Sequence, residues 1–266
     1  MTTIKLCFST LGCPDWTLDE ILSTAKDLGY DSIEVRGISN ELYAPKIPAF
    51  QGEKAEKLKE KLTAMNLSID CLSSACYLHR DEADYVGQAK EYISLANRLN
   101  VPYVRVLGDT GPEKSDVDIE LVKENLKKVC ENTGDVTVLI ETNGIFADTN
   151  VLKQMLEELN LPNLAVLWDI HHPYRYAGEA VDTTWQNVGK YIRYIHLKDS
   201  KVSGGKLGYQ MLGYGDVPVK ACIELLKKEG FTGTVSLEWL KRWYPDLTYA
   251  GIVFAQTIGY IRALLG

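Results

Sequence analysis

Short apolar runs alternate with amphipathic stretches along the whole chain. Runs rich in Val, Ile, Leu and Tyr predict eight strands, at Lys5–Ser9, Ser32–Arg36, Leu67–Ser73, Tyr103–Leu107, Thr137–Glu141, Leu164–Asp169, Tyr194–Leu197 and Val235–Glu238. Several are apolar at nearly every position, the pattern of parallel strands buried on both faces. The segments between them carry helical periodicity. Leu58, Leu62 and Met65 stand at i, i+4, i+7, and Tyr85, Ala89, Tyr92, Ile93 and Ala96 mark one face of a second helix. Ile119, Val122, Leu126 and Val129 mark a third, and Val219, Cys222, Ile223 and Leu226 a fourth. Thr17 with Glu20 three residues on predicts a capping box, and Gly29 and Gly230 stand where helices end.

Eight strands alternating with eight helical stretches predict an α/β protein with a (β/α)₈ barrel, and the 266 residues suit one such barrel. Residues 1–266 are therefore expected to form a single domain, with no linker, low-complexity tract or repeat longer than the β/α unit. An open doubly wound sheet is the competing architecture. The segment FSTLGCPDW after the first strand lacks the glycine-rich turn that such a sheet uses to bind a dinucleotide.

Composition narrows the partners. Hydrophobic content of 45% and charged content of 24% are those of an ordinary globular protein. No run approaches membrane-spanning length, and MTTIKLCFST passes into a strand without a leader pattern, so a cytoplasmic location and no membrane partner are expected. The six cysteines are scattered without a CxxC pair, which predicts reduced, buried thiols. A net charge of −7 disfavours nucleic acid as a partner. The Lys-rich stretch EKAEKLKEKL alternates with Glu at helical spacing and predicts a solvated helix face.

Four strand ends carry the candidate chemistry. Glu141 closes VTVLIE, Asp169 closes LAVLWD, His196 closes YIRYIH and Glu238 falls at the end of TVSLE. Charged groups at the ends of buried runs are costly unless compensated, and a divalent cation is the simplest compensation. Two Glu, one Asp and one His form a mostly oxygen set suited to Mn²⁺, Mg²⁺ or Co²⁺, and also able to take Zn²⁺. In a barrel these ends converge on the face where active sites are built. A cation there would stabilise an enediolate formed next to a carbonyl, while Glu141 and Glu238, on opposite flanks, move the proton. Deprotonation on one face and reprotonation on the other is epimerisation. One-face transfer between adjacent carbons is aldose–ketose isomerisation, and expulsion of a β-hydroxyl is dehydration.

The runs VLIETNG, WDIHH, YIHLKDS, LGYGDVP and SLEW, in this order and with GYDSIEVRG near the start, resemble the xylose-isomerase-like TIM barrels over nearly the whole chain. That superfamily holds sugar isomerases, ketose 3-epimerases, inosose dehydratases and the endonuclease IV group. The resemblance implies that Glu141, Asp169, His196 and Glu238 bind one divalent metal, Mn²⁺ foremost. It implies too that His172, in a D-x-x-H pattern, contacts substrate in preference to its neighbour His171. The expected activity is that of a metal-dependent sugar or sugar phosphate isomerase or epimerase, with a sugar or polyol substrate. An inosose- or dehydroshikimate-type dehydratase is the alternative.

Further residues are candidates for substrate contact. Glu34 and Arg36 share one face of the second strand, and Glu34 either meets a sugar hydroxyl or pairs internally near Lys5 or Arg105. Lys198 shares the face of His196 and would hold an oxyanion or phosphate. Trp16, Trp239 and Trp243 either wall a sugar ring or serve only as packing, and the aromatics of the C-terminal half would cover a partner's site in a homo-oligomer. The glycine-rich stretch Lys201–Asp216 is expected to be a mobile surface loop, with a lid carrying Lys206 as the alternative. No arginine lies between His196 and Arg242, a departure from the pattern of some 3-epimerases. An endonuclease IV-like phosphodiesterase would need more early ligands than His79, and a non-catalytic sugar-binding barrel would be expected to have lost part of the ligand set.

Overall fold

The computed structural model describes residues 4–266. Eight parallel strands close a barrel: β1 (Lys5–Ser9), β2 (Ser32–Val35), β3 (Ser68–Tyr77), β4 (Tyr103–Leu107), β5 (Thr137–Glu141), β6 (Leu164–Asp169), β7 (Ile192–Leu197) and β10 (Thr234–Leu237). Their order around it is β1-β10-β7-β6-β5-β4-β3-β2. Between β7 and β10, β8 (Asp199–Ser203) and β9 (Lys206–Gln210) form a separate two-stranded antiparallel sheet. The helices are α1 (Leu18–Leu28), α2 (Gly52–Met65), α3 (Tyr85–Leu99), α4 (Ile119–Val129), α5 (Thr149–Leu159), α6 (Val181–Val188), α7 (Val219–Lys228) and α8 (Ala250–Leu265). None is long and apolar enough to cross a membrane among the described residues.

Local chemistry sets the helix ends. Thr17 and Glu20 form the reciprocal capping box at the start of α1, and Gly29 ends it at φ 79 with its N–H on Ala25 and Lys26 carbonyls. Gly230, at φ 66, follows α7 in the same left-handed conformation. The predicted strand bounds agree with the structure within a residue or two, except at β3, which runs on to Tyr77 past a register shift.

Packing groups the described residues into two units, 4–69 with 195–266, and 70–194. In the first, Phe8 stacks on Phe254 at 4.1 Å and meets the edge of Tyr30 at 4.9 Å, while the Tyr30 hydroxyl donates to the Phe254 carbonyl. In the second, Trp168, Phe146 and Tyr92 are fully buried, and Tyr103 meets Tyr194 edge-on. All six cysteines are buried free thiols. Burial pushes the Cys130 thiol up to about 12, and raises Cys13 and Cys222 as well, so these thiols stay neutral and inert.

Within the stretch after β7, read from sequence only as a surface loop, Gly204 and Gly205, at φ 57 and 75, make a tight turn that pairs β8 with β9. Asp199, at the base of this hairpin, accepts backbone N–H bonds from Ser200, Gly213, Gly215 and Val217 at 2.8–3.2 Å. A Cβ on Gly215 would fall 2.0 Å from the Asp199 carboxylate and 2.4 Å from the Ser200 carbonyl. Gly215→Ala is therefore expected to destabilise the fold by about 1–3 kcal/mol through overpacking. Urea denaturation measures this, and an unchanged midpoint would show that the segment relaxes freely.

Candidate functional site

Each unit brings together a buried cluster of the sequence-predicted residues. In residues 70–194, Glu141 ends β5 with only 3% of its surface exposed. Arg105, on neighbouring β4 and 4% exposed, places Nε 3.2 Å from Glu141 Oε2. The other oxygen, Oε1, faces His172 Nδ1 at 3.6 Å. Asp169 ends β6 fully buried, and its Oδ1 accepts the backbone N–H groups of His171 at 2.9 Å and His172 at 3.3 Å. Thr142 ties β5 to β6: its hydroxyl accepts the Asp169 N–H and donates to the Asp169 carbonyl, at 3.0 and 3.2 Å.

His172 Nδ1 lies 3.2 Å from the Thr142 carbonyl, and an imidazole nitrogen facing a carbonyl must carry a proton. That leaves Nε2 turned toward Asp169 Oδ2 at 3.8 Å. One ligand atom each from Asp169, His171 and His172 lie within 4.8 Å of one another, a spacing that fits a metal ion. Tyr176, in the π-helical turn Pro173–Ala177, packs edgewise near both rings, with centroids at 5.7 and 6.0 Å. The loop after Glu141 is fixed by Asp109, which accepts from Ile145 N, Ser115 N, Ser115 Oγ and Thr110 N. Gly144 is required there: its φ is +58, and a Cβ would meet Asp109 at 2.3 Å.

In residues 4–69 with 195–266, the same motif recurs. Glu34 and His196 are fully buried, and His196 Nε2 lies 2.8 Å from Glu34 Oε2. His196 Nδ1 faces Glu238 Oε1 at 3.6 Å. Lys198, 4% exposed, donates to Glu238 Oε2 at 2.5 Å. Glu238 stands one residue past β10, where its backbone N–H still reaches the Leu197 carbonyl at 3.0 Å. Glu34 thus faces His196, an internal partner that the sequence alone did not point to.

The aromatic candidates separate. Trp239 is buried, with its indole N–H on the Thr248 carbonyl, so it is a packing residue. Trp16 is half-buried and donates to the Tyr249 hydroxyl at 3.0 Å. Trp243 is 48% exposed and lies under the Arg36 guanidinium, 5.8 Å from ring centroid to Cζ. Lys206 is exposed beside the hairpin turn. His79 bonds Thr110 and accepts from Arg80 Nε, and burial holds its imidazole below the usual range. Sequence reasoning missed Arg105 as the partner of Glu141, although an arginine inside the buried run YVRVL was the available signal. Asp109 and Asp199 carried none, because each acts mainly by accepting from loop backbone N–H groups.

The described donors, buried carboxylates beside imidazoles, fit a divalent cation. The chain is 21% identical to an inosose isomerase of Halalkalibacterium halodurans over 92% of this chain and 91% of that one. It is 22% identical to a fructoselysine 3-epimerase of Shigella flexneri, over 98% of both. Among solved structures, the zinc-bound IOLI protein matches with a TM-score of 0.74, 21% identity and coverage of 97% and 96%. A magnesium complex from Mycobacterium smegmatis matches with a TM-score of 0.74, 15% identity and coverage of 100% and 97%. The family model described as xylose isomerase-like TIM barrel matches residues 22–257, and the chain belongs to that family.

Proposed function

We propose that the protein is a divalent-metal-dependent isomerase or epimerase of sugars or sugar phosphates, with residues 1–266 working as one barrel domain. The observation that carries this reading is a repeated motif. Glu141 and Glu238 each have one oxygen held by a buried cation, Arg105 or Lys198, and the other facing an imidazole Nδ1 at 3.6 Å, from His172 or His196. Two carboxylates, each set between a buried cation and an imidazole, suit a reaction in which one removes a proton and the other returns it. The two imidazoles differ in tautomer: His172 carries its proton on Nδ1, His196 on Nε2. The curated relatives, an inosose isomerase and a fructoselysine 3-epimerase by name, support the same class.

Glu141, Asp169, His196 and Glu238 are the proposed metal ligands, since β5, β6, β7 and β10 are consecutive in the barrel and these residues close them. When bound, the cation supplies Lewis acidity that favours the enediolate over the ketone. Three carboxylates and one imidazole favour Mn²⁺, with Mg²⁺, Co²⁺ and Zn²⁺ as rivals. The remaining roles belong to the chain. Glu34 accepts the His196 Nε2–H, which leaves Nδ1 as the donor atom and fixes the ring plane. Glu34 is thus proposed as a positioning residue in place of the sugar contact. His172, its tautomer set by the Thr142 carbonyl, presents Nε2 to the substrate, and Lys198 steers Glu238 while offering an N–H to a developing oxyanion. Trp16 contributes an apolar wall.

Proton NMR in D₂O on ketoses, aldoses and inososes with Mn²⁺ tests this. Deuterium is expected at a carbon next to the carbonyl, and the labelled carbon separates epimerase from isomerase. Loss of a C–OH signal with a new unsaturated product would replace the reading by a dehydratase, and no exchange on any compound would remove it.

A further inference from the structure

Arg36 is the feature of the barrel end that the proposed proton-transfer machinery does not use. It follows β2 directly and is 8% exposed. Glu34, which holds His196, stands two residues before it within β2, and Arg36 occupies the bend by which the chain leaves the strand. Arg36 therefore lies beyond Glu34 on the side where the loops after the strands gather. Its backbone is pinned: Arg36 N donates to Thr10 Oγ1 at 2.9 Å, and that hydroxyl donates to the Gly37 carbonyl at 2.6 Å. Its guanidinium is roofed by the Trp243 ring.

A second guanidinium reaches the same loop. Arg242 Nη2 donates to the Ser39 carbonyl at 2.8 Å, and Arg242 N donates to the Leu11 carbonyl at 3.2 Å. Its Nε is buried with no hydrogen-bond acceptor among the described residues. Ser39 Oγ in turn bonds the Trp16 carbonyl at 3.2 Å. The loops after β1, β2 and β10, three neighbours in the barrel, thus bring together two planar cationic forks and an exposed indole. Guanidinium forks match the oxygen geometry of carboxylates and phosphates, and an aromatic roof keeps such a fork from swinging into water.

We infer that Arg36, assisted by Arg242, is a specificity-determining subsite for an anionic group, a carboxylate or a phosphate, on the sugar substrate. This deepens the proposed isomerase or epimerase reading and rests on it for the sugar, while the binding of the anion itself needs no turnover. Lys198 lies with Glu238 among the reacting groups, so the two arginines would hold the far end of the substrate and set which sugar is aligned.

The test uses the Mn²⁺-loaded protein and three probes, fructose, fructose 6-phosphate and fructuronate, with affinity by calorimetry and deuterium exchange by NMR. At least one charged probe is expected to bind about tenfold or more tighter than fructose, and which one does so separates phosphate from carboxylate. Arg36→Gln is expected to shrink that margin to less than about twofold, with Arg36→Lys and Arg242→Gln in between. Equal affinity of the wild type for all three probes overturns the subsite. So does an equal loss for all three in Arg36→Gln, which would make the arginine a loop clamp. Charge-selective binding without exchange on any probe keeps the subsite and removes the isomerase or epimerase reading instead.

Discussion

Glu238→Ala is expected to lower kcat/KM by at least about 10³-fold and to weaken metal binding measurably by calorimetry. A general acid–base group contributes about 10²–10⁴-fold on its own, and in the proposed site Glu238 is also a metal ligand, so both losses fall on one residue. The structure adds a complication. Lys198 donates to Glu238 Oε2 and is itself buried, so truncation leaves an ammonium without its carboxylate. Breaking a buried pair in this way costs about 3–5 kcal/mol, enough to reduce yield and obscure the kinetics. Glu238→Gln resolves the two effects. Its amide oxygen still accepts from Lys198, so stability in urea should largely recover while turnover stays lost. Full activity in either variant would remove the basis for placing Glu238 at the reacting carbon.

The barrel was legible because its strands are almost uniformly apolar and its helices keep a regular stripe; β1, β4, β5 and β6 fall at the predicted bounds. The four strand-end residues stood out for the same reason, a charge closing an apolar run. What the sequence did not reveal is pairing. Glu34 could have met any of several cations, and only the fold puts it on His196. Arg105 was visible as a charge inside β4, but its partner is set by strand order, which no local pattern encodes. The pairing of β8 with β9 was not read from the sequence because the glycines of this stretch signal a loop, whereas two adjacent positive φ values let them form the turn of a hairpin. Trp239 stayed open because an aromatic beside a site residue serves core or ligand equally well in sequence, and its burial favours the core.

Stripping the metal with EDTA is expected to abolish exchange while leaving the protein folded, and Mn²⁺ or Co²⁺ should restore it. The reason lies in the chain's own charges. Glu141 has Arg105, Glu238 has Lys198, and Asp169 accepts two backbone N–H groups, so no carboxylate of the set depends on the cation alone for compensation. The cation should therefore add stability by mass action instead of nucleating the fold, about 2.7 kcal/mol at a free concentration of 100 Kd. For a chain of this size that corresponds to a rise in Tm of roughly 5–10 °C. Far-UV circular dichroism before and after chelation, with calorimetric melting across a Mn²⁺ titration, measures both quantities. Activity that survives exhaustive chelation would exclude the metal from the reaction. Loss of helical signal on chelation would make the ion structural, and Arg105 and Lys198 would then be too weak to hold the site closed by themselves.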